Sequence, residues 1–358
     1  MLALKRLAPV LGLVAAAGLA ACSNDSNSPD NVNPAVMADG MGAITSEFAN
    51  NAAFQSLKSM SGFFQLTAAS AALRATLPMD ISTRSAAANF GTVAKSRRDA
   101  MRLYASLAPS SPAVLFPSNV LGKTYAWDVN QDRYIQSTQS GAPANGVRFL
   151  LYVANDSGPV LPLQQLGYVD LTDESSPQAD ILGVLLRLGG TNVADYTISA
   201  EYPTQSSLIL TASGRLTNPN NTSSHVDFTL EQNVSLTSLG VDYHVQGSNG
   251  FTIDFQLTFT QSGANVNFAI SNGGNTLSLS GTLTFGATSD TVNFQIKYNG
   301  TVVATVTGNG DNPTITGSGG RQLSEAEIAN LVAIWQGAGE VLDALDAVFE
   351  PGSIVFGF

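Results

Sequence analysis

The sequence predicts an α+β protein that is mainly β, built on a large antiparallel β-meander that forms a curved sheet or half-barrel. Helices are expected before the meander, and a C-terminal amphipathic helix is expected to pack on its apolar face. Two patterns support this fold class. From about residue 120 onward, apolar and polar residues alternate with a period of two, as in strands with one buried face. In residues 41–64, 92–109 and 323–350, apolar residues recur at helical spacing.

The alternation is strictest in residues 251–260, where five apolar side chains would face one way and five polar side chains the other. Short turn sequences separate this run from its neighbours, and Asn299-Gly300 is a strong two-residue hairpin signal because both residues tolerate positive φ. The aromatic residues of the apolar face, together with a tryptophan of the C-terminal helix, are predicted either to form a core or to line an apolar ligand site: Phe251, Phe255, Phe259, Phe268, Phe294 and Trp335.

Further strands are predicted before the meander. Residues 124–137 indicate a hairpin with a polar turn, and residues 145–159 and 166–174 predict two more strands. Residues 181–188 are apolar at nearly every position, so this strand is expected to be covered on both faces.

The C-terminal helix has a recognisable start and stop. Ser324 and Glu327 have the spacing of a capping box, in which each residue satisfies a free backbone amide of the other. Pro351 and Gly352 are expected to end the helix, so that residues 353–358 can return as a short strand.

The chain begins with a basic and then apolar leader. Lys5 and Arg6 precede an apolar stretch over residues 7–19, which is too short for a comfortable membrane span and is typical of a secretion signal. Leu19-Ala20-Ala21-Cys22 resembles the lipobox of bacterial lipoproteins. The resemblance implies cleavage before Cys22, acylation of its thiol and of the new amino group, and a lipid anchor in the cell envelope. A plain secretory signal with an incidental cysteine is the alternative.

The residue after the cysteine bears on location. By the sorting rule of well-studied lipoproteins, Ser23 rather than aspartate implies the outer membrane, facing the periplasm or the cell surface. Because Cys22 is the only cysteine of the chain, no disulfide is expected in the folded part.

The lipobox resemblance, which implies the first boundary and the acylated cysteine, and the composition of the rest together predict four parts. Residues 1–21 are the signal peptide, residues 22–34 the acylated cysteine and a flexible tether, residues 35–119 a helical region, and residues 120–358 the antiparallel β domain with its C-terminal helix. The tether is rich in Asn, Asp, Ser and Pro, so it cannot bury enough apolar surface to fold. Residues 134–358 carry 19 acidic and 5 basic side chains, which excludes a nucleic-acid surface there.

No catalytic residue, metal ligand or cofactor site is predicted. His225 and His244 both fall on polar strand faces, so they are interpreted as surface residues. Asp128, Asn130 and Asp132 begin like a calcium loop, but Arg133 stands where the loop needs glycine, so a hairpin turn explains them better.

Two further groups of acidic residues are interpreted as structural rather than functional. Asp170, Asp173 and Glu174 are interpreted as turn residues rather than as a weak cation site. Glu340, Asp343 and Asp346 are interpreted as the solvated stripe of an amphipathic helix rather than as a carboxylate cluster.

Two functions stay open, neither of them enzymatic. In the first, the apolar face is a closed core and the protein is a membrane-anchored scaffold or interaction module. In the second, the face binds lipid or another apolar ligand, and the layout is similar to the half-barrel lipid carriers of the LolA and LppX type. An outer-membrane β-barrel is less favoured because every turn is short and a charged helix interrupts the meander. The membrane, contacted through Cys22, is the expected partner; nucleic acid is not expected, and the sequence does not indicate a protein partner.

Overall fold

The computed structural model describes residues 115–131, 133–155, 158–204, 207–235, 237–260, 262–286, 289–309, 312–328, 345 and 347–356. The chain divides into two compact units. Within the described residues, the first unit comprises 115–235 with the C-terminal segment from residue 345, and the second unit comprises 237–328. The predicted signal peptide, tether and N-terminal helical region lie outside the described residues.

The strands of the first unit lie in the order β2-β1-β3-β6-β7-β8-β9-β10, and β4 and β5 form a small pair of their own. Their bounds are β1 (Lys123–Asp128), β2 (Arg133–Gln136), β3 (Gly146–Tyr152), β4 (Ala154–Asn155), β5 (Gly158–Pro159), β6 (Gln165–Asp173), β7 (Asp180–Leu188), β8 (Thr191–Thr204), β9 (Ser207–Asn218) and β10 (Asn221–Ser235). The predicted hairpin over residues 124–137 is confirmed as β1 and β2.

One pairing departs from the predicted antiparallel order. Strands β1 and β3 are parallel, with Lys123 opposite Val147 and Tyr125 opposite Phe149. The reason is the path of the chain: β2 ends opposite Tyr125, and residues 137–145 then pass the start of β1 so that β3 begins on its other side. The prediction of a wholly antiparallel arrangement is wrong at this pair.

The second unit contains the predicted meander, in which each strand pairs antiparallel with the next along the chain. Its strands are β11 (Leu239–Gly247), β12 (Thr252–Phe259), β13 (Gly263–Asn272), β14 (Asn275–Thr284), β15 (Thr291–Tyr298), β16 (Thr301–Asn309) and β17 (Asn312–Gly317). The predicted hairpin turn at Asn299-Gly300 is confirmed: φ is 48° at Asn299 and 81° at Gly300, as a two-residue turn of this type requires.

Burial follows the predicted pattern in both units. In β12 and β15, buried residues alternate with exposed ones along the strand, so one face is covered and the other meets solvent. Strand β7 differs, because Leu182, Val184 and Leu186 are buried on one face while Gly183 is buried and Leu185 half-buried on the other. The expectation that this strand is covered on both faces is therefore confirmed.

The C-terminal segment packs within the first unit. A 3₁₀ turn (Ala347–Phe349) leads into α1 (Glu350–Phe356), and Tyr196 of β8 donates a hydrogen bond from its hydroxyl to the Val348 carbonyl at 3.1 Å. A Cβ placed on Gly352 would lie 3.1 Å from Ile198, so α1 contacts the same strand closely. The expectation that Pro351 ends a helix and that a strand follows is wrong, because proline is well tolerated in a first helical turn, where its missing amide would have no partner.

The start of the predicted C-terminal amphipathic helix is described only over residues 325–328, which are helical. Its capping box is formed: the Ser324 backbone amide donates to Glu327 Oε2 at 2.8 Å, and the Glu327 amide donates to Ser324 Oγ at 3.3 Å. Arg321 also donates to Glu327 at 3.0 Å. This contact and the Ser324 hydrogen bonds lower the pKa of Glu327 to about 2. Residues 329–344 and 346, with the predicted stripes of this helix, lie outside the described residues.

Candidate functional site

The predicted apolar face of the second unit is the first candidate site. Phe251, Phe255, Phe268 and Phe294 are exposed by only 0%, 3%, 4% and 2%. Alternation along β12, β13 and β15 places the last three on one face, as the sequence predicts. Four of the six predicted residues are thus buried side chains of the second unit.

An aromatic row crosses three neighbouring strands of this face. Tyr243 lies opposite Phe255, and Phe255 lies opposite Phe268. The ring centroids are 6.2 Å and 6.3 Å apart, at tilted or edge-to-face angles. Such pairs contribute about 0.5–1.5 kcal/mol each beyond the burial of their area. The row therefore fixes the register of β11, β12 and β13 as well as filling space.

Phe294 occupies space that a neighbouring glycine leaves free. It lies opposite Gly281 of β14. A Cβ at Gly281 would come within 2.7 Å of Phe294 Cδ1 and within 2.1 Å of the Asn293 carbonyl oxygen. The ring thus covers the backbone of the adjacent strand where no other side chain fits.

The remaining predicted residues differ from these four. Phe259, at the end of β12, is half-buried, and its ring lies 5.2 Å from that of Phe285, which is also half-buried. Cys22 and Trp335 lie outside the described residues, and so do Glu340, Asp343 and Asp346.

The two histidines lie on polar strand faces, as the alternation predicts. His244 is exposed and its Nδ1 lies 2.6 Å from Asp254 Oδ1, directly across the β11–β12 pair. His225 is half-buried, with Nε2 3.8 Å from Asp227 Oδ2. Each imidazole is near one carboxylate, which is the usual environment of a surface histidine between strands.

The described residues of the loop predicted as a hairpin turn rather than a calcium site form that turn, and Asp132 lies outside the described residues. Asp128 Oδ1 accepts hydrogen bonds from the backbone amides of Asn130 at 2.8 Å and Gln131 at 3.0 Å. A carboxylate that caps its own turn in this way is a standard turn device.

The three acidic residues Asp170, Asp173 and Glu174 each bind a different partner. Asp173 accepts the Ser175 amide at 3.0 Å, and Glu174 accepts the Thr172 hydroxyl at 3.0 Å. Asp170 instead lies inside β6 and faces Arg148, so the prediction that it is a turn residue is wrong. Among the residues that the structure describes, no group of three or more histidine, cysteine or acidic side chains could hold a metal ion.

The ion pair of Arg148 and Asp170 was not predicted from the sequence. Arg148 donates from Nε and Nη2 to the two carboxylate oxygens, each at 2.7 Å, and its guanidinium lies 3.7 Å from the centre of the Tyr168 ring. The side chains are exposed by only 17% and 11%. Hydrogen bonding to Asp170 raises the pKa of Arg148. The available signal was a single basic residue in the apolar strand β3 and an acidic residue, Asp170, inside the next strand, β6.

Comparison with known proteins gives no relative: no family model, no curated protein and no solved structure matches this chain. None of the helices in the described part of the chain is long and apolar enough to cross a membrane.

Proposed function

We propose that this chain is a lipid-anchored, non-catalytic scaffold or interaction module of the bacterial cell envelope, held on the outer membrane through acylated Cys22. The anchor is supported by the leader and by Leu19-Ala20-Ala21-Cys22, with the single cysteine of the chain at the position that acylation requires. The polar tether after it would hold the folded part away from the lipid surface.

The observation that supports a scaffold rather than a carrier is the burial of Phe251, Phe255, Phe268 and Phe294. A side chain that borders a cavity wide enough for an acyl chain keeps accessible surface toward that cavity, and ligand pockets are typically about 300–1,000 Å³. These four side chains keep almost none. Such burial is typical of a packed core.

One observation favours the alternative, a carrier of lipid or another apolar ligand. The Phe259 and Phe285 rings contact each other at a tilted angle, with centroids 5.2 Å apart, but are only half-buried. An apolar ligand that entered the second unit beside β12 would meet these two rings first.

The anchor is tested in cells by Cys22→Ser. Removing the thiol removes the acyl chains, and two or three chains are what make membrane attachment long-lived. We expect the variant to move from the membrane to the soluble envelope fraction, whereas Ser26→Ala in the tether stays with the membrane. A Cys22→Ser variant that still fractionates with the membrane would contradict the anchor.

Two experiments, one substitution and one solvent extraction, distinguish the scaffold hypothesis from the carrier hypothesis. If Phe268 is core, Phe268→Ala lowers the free energy of unfolding by about 3–5 kcal/mol, whereas Asn265→Ala, on the exposed face of the same strand, stays within about 0.5 kcal/mol. If Phe268 lines a ligand site, the protein is stable without the ring. Solvent extraction of the purified Cys22→Ser chain, followed by mass spectrometry, then returns a stoichiometric lipid for a carrier and none for a scaffold.

A further inference from the structure

Asparagine followed by glycine is a dipeptide that readily loses its side-chain amide. In this reaction the glycine backbone nitrogen attacks the side-chain carbonyl carbon of the asparagine, and glycine favours the attack because no side chain shields its nitrogen. Hydrogen bonds that hold either of the two reacting groups suppress the reaction in a folded chain. The structure describes four such dipeptides in full: Asn145-Gly146, Asn249-Gly250, Asn272-Gly273 and Asn299-Gly300.

In two of the four dipeptides, a hydrogen bond holds the glycine nitrogen. The Gly146 amide donates to the Pro143 carbonyl at 3.2 Å, and the Gly250 amide donates to the Gly247 carbonyl at 3.0 Å. Each nitrogen must first give up this bond before it can turn toward the neighbouring side chain. The attacking group is therefore restrained at both positions.

At Asn299 the side-chain amide itself is held. Its Oδ1 accepts the Thr276 backbone amide at 2.8 Å, and its Nδ2 donates to Asn275 Oδ1 at 3.2 Å. The carbonyl carbon lies between these two contacts, so it cannot rotate toward the Gly300 nitrogen while both remain. The group under attack is therefore restrained at this position.

Neither kind of restraint is found at Asn272 and Gly273. Among the residues that the structure describes, neither the Asn272 side chain nor the Gly273 amide has a hydrogen-bond partner. Gly273 lies in the β13–β14 turn with φ of 57°, is exposed, and would have no atom within 4 Å of an added Cβ. Both reacting groups are thus free to approach each other.

We propose that Asn272 is the site at which the folded protein is modified by deamidation. The Gly273 nitrogen forms a bond to Asn272 Cγ, and the Cγ–Nδ2 bond breaks. The amide proton of Gly273 passes through water to the departing nitrogen, which leaves as ammonia. Water then opens the succinimide ring at either of its carbonyl carbons, so that residue 272 becomes aspartate or isoaspartate. Solvent water is the only co-reactant.

The position of Asn272 in the sheet allows the product to stay folded. Asn272 and Asn275 form the last pair of the β13–β14 ladder, next to the turn. In the preceding pair, the Ser271 and Thr276 hydroxyls are 2.8 Å apart and hydrogen-bonded. An isoaspartyl link lengthens the main chain by one carbon, which disturbs the end of a ladder less than its interior. The expected product is a folded protein with one added negative charge at this turn.

The test compares two dipeptides with the same residue before them. Ser248-Asn249-Gly250 and Ser271-Asn272-Gly273 share the tripeptide sequence, so they should convert at similar rates in denaturant. The purified full chain is incubated in mildly alkaline buffer, folded or denatured, and the peptides are mapped by mass spectrometry. In the folded protein we expect Asn272 to convert about tenfold faster than Asn249 or more, because one or two hydrogen bonds must first break at Asn249.

Equal rates at Asn249 and Asn272 in the folded protein, or slower conversion at Asn272, would overturn the proposal. A second measurement tests its cause. Asn275→Ala removes the acceptor of Asn299 Nδ2, so conversion at Asn299 should rise severalfold while conversion at Asn249 stays unchanged. No rise at Asn299 would show that these hydrogen bonds do not control the reaction, and would overturn the assignment of Asn272 on that basis.

Discussion

Strands β12 to β15 of the second unit and strands β3, β6 and β7 of the first unit bury their side chains in different ways. In the second unit, one face is covered and the other is solvated, and the burial pattern alternates residue by residue. In β3, by contrast, Phe149, Leu150 and Leu151 are buried in succession, so both faces are covered there.

The polar residues of the two regions differ accordingly. In the second unit, side chains in register across five strands form a neutral polar row: Gln256, Asn267, Ser280, Gln295 and Thr305. Gln256 donates to Asp242 at 3.2 Å and Thr305 donates to the Thr316 carbonyl at 3.5 Å, and water can satisfy the remaining hydrogen-bonding groups of this exposed or half-buried row. On the second face of β3 and β6, a charged side chain has less access to water and is paired, as Arg148 is with Asp170. The polar pairs thus differ in exposure: His244 and Asp254, on the solvated face of the second unit, are exposed by 50% and 54%, whereas Arg148 and Asp170 are exposed by only 17% and 11%.

The largest expected effect tests whether the second face of the first unit is truly a packed face. Leu150 lies there and is only 2% exposed, so Leu150→Ala should lower the free energy of unfolding by about 2–5 kcal/mol. Asn267→Ala, on the solvated face of β13, should change it by no more than about 0.5 kcal/mol. Equilibrium denaturation measures both. Equal, small effects would mean that the two regions do not differ.

A smaller effect is expected from the ion pairs. Asp170→Asn leaves the half-buried Arg148 without its carboxylate and should lower the free energy of unfolding by about 1.5–3 kcal/mol. Asp227→Asn is the matched control, because Arg215 and Asp227 form the same two-pronged contact at 2.7 Å and 3.0 Å with side chains exposed by 53% and 45%.

The exposed pair should contribute less, since solvent screens it. The comparison is made by denaturation of the two variants under the same ionic strength. If Asp227→Asn proves as costly as Asp170→Asn, burial is not what distinguishes these pairs.

The same contrast explains which elements the sequence could predict. The strands of the second unit could be predicted because the alternation of apolar and polar residues is a local signal. The polar neighbours of Phe255 and Phe268 in the sequence indicate which face each ring occupies. The turn at Asn299-Gly300 could be predicted for the same reason, because the signal lies in the two turn residues themselves. The parallel β1–β3 pair could not be predicted, because the residues of a strand do not indicate on which side of an earlier strand it will pair.

The features that the sequence did not predict depend on residues far apart in the chain or on an ambiguous local signal. The pairing of Arg148 with Asp170 joins residues 22 positions apart, and a single sequence does not show which charged residues of two strands will pair. The location of the exposed Val129 and Leu161 at one end of the first unit likewise follows only once β1, β3 and β6 are aligned. The helix at Glu350–Phe356 was missed because proline was interpreted as a stop, although it is equally common in a first turn.

A third prediction concerns the tight turns that make the second unit so regular. Gly300 has φ of 81° and open space around its Cα, so Gly300→Ala tests backbone conformation without a steric clash. A residue with a Cβ is disfavoured at this φ, and we expect the free energy of unfolding to fall by about 1 kcal/mol. Thr301→Ala, at the next position in β16, is the control. An unchanged stability in both variants would show that this turn does not limit the register of β15 and β16.

The smallest expected effect lies at the capping box of the second unit. The pKa of Glu327 is lowered from 4.5 to about 2, first by Arg321 and then by Ser324. Because the folded state holds the carboxylate ionised, this contact stabilises the protein above about pH 4.5, and the contribution is lost as the pH falls from 4.5 toward 2. Glu327→Gln should therefore be less stable than the parent at neutral pH and converge with it toward pH 2.

Denaturation midpoints recorded across this pH range provide the measurement, with Glu325→Gln as a control that removes the same charge from the same turn. A difference between Glu327→Gln and the parent that does not change with pH would show that the capping box acts through hydrogen-bond geometry alone. In that case the charge of Arg321 would add nothing to the start of this helix.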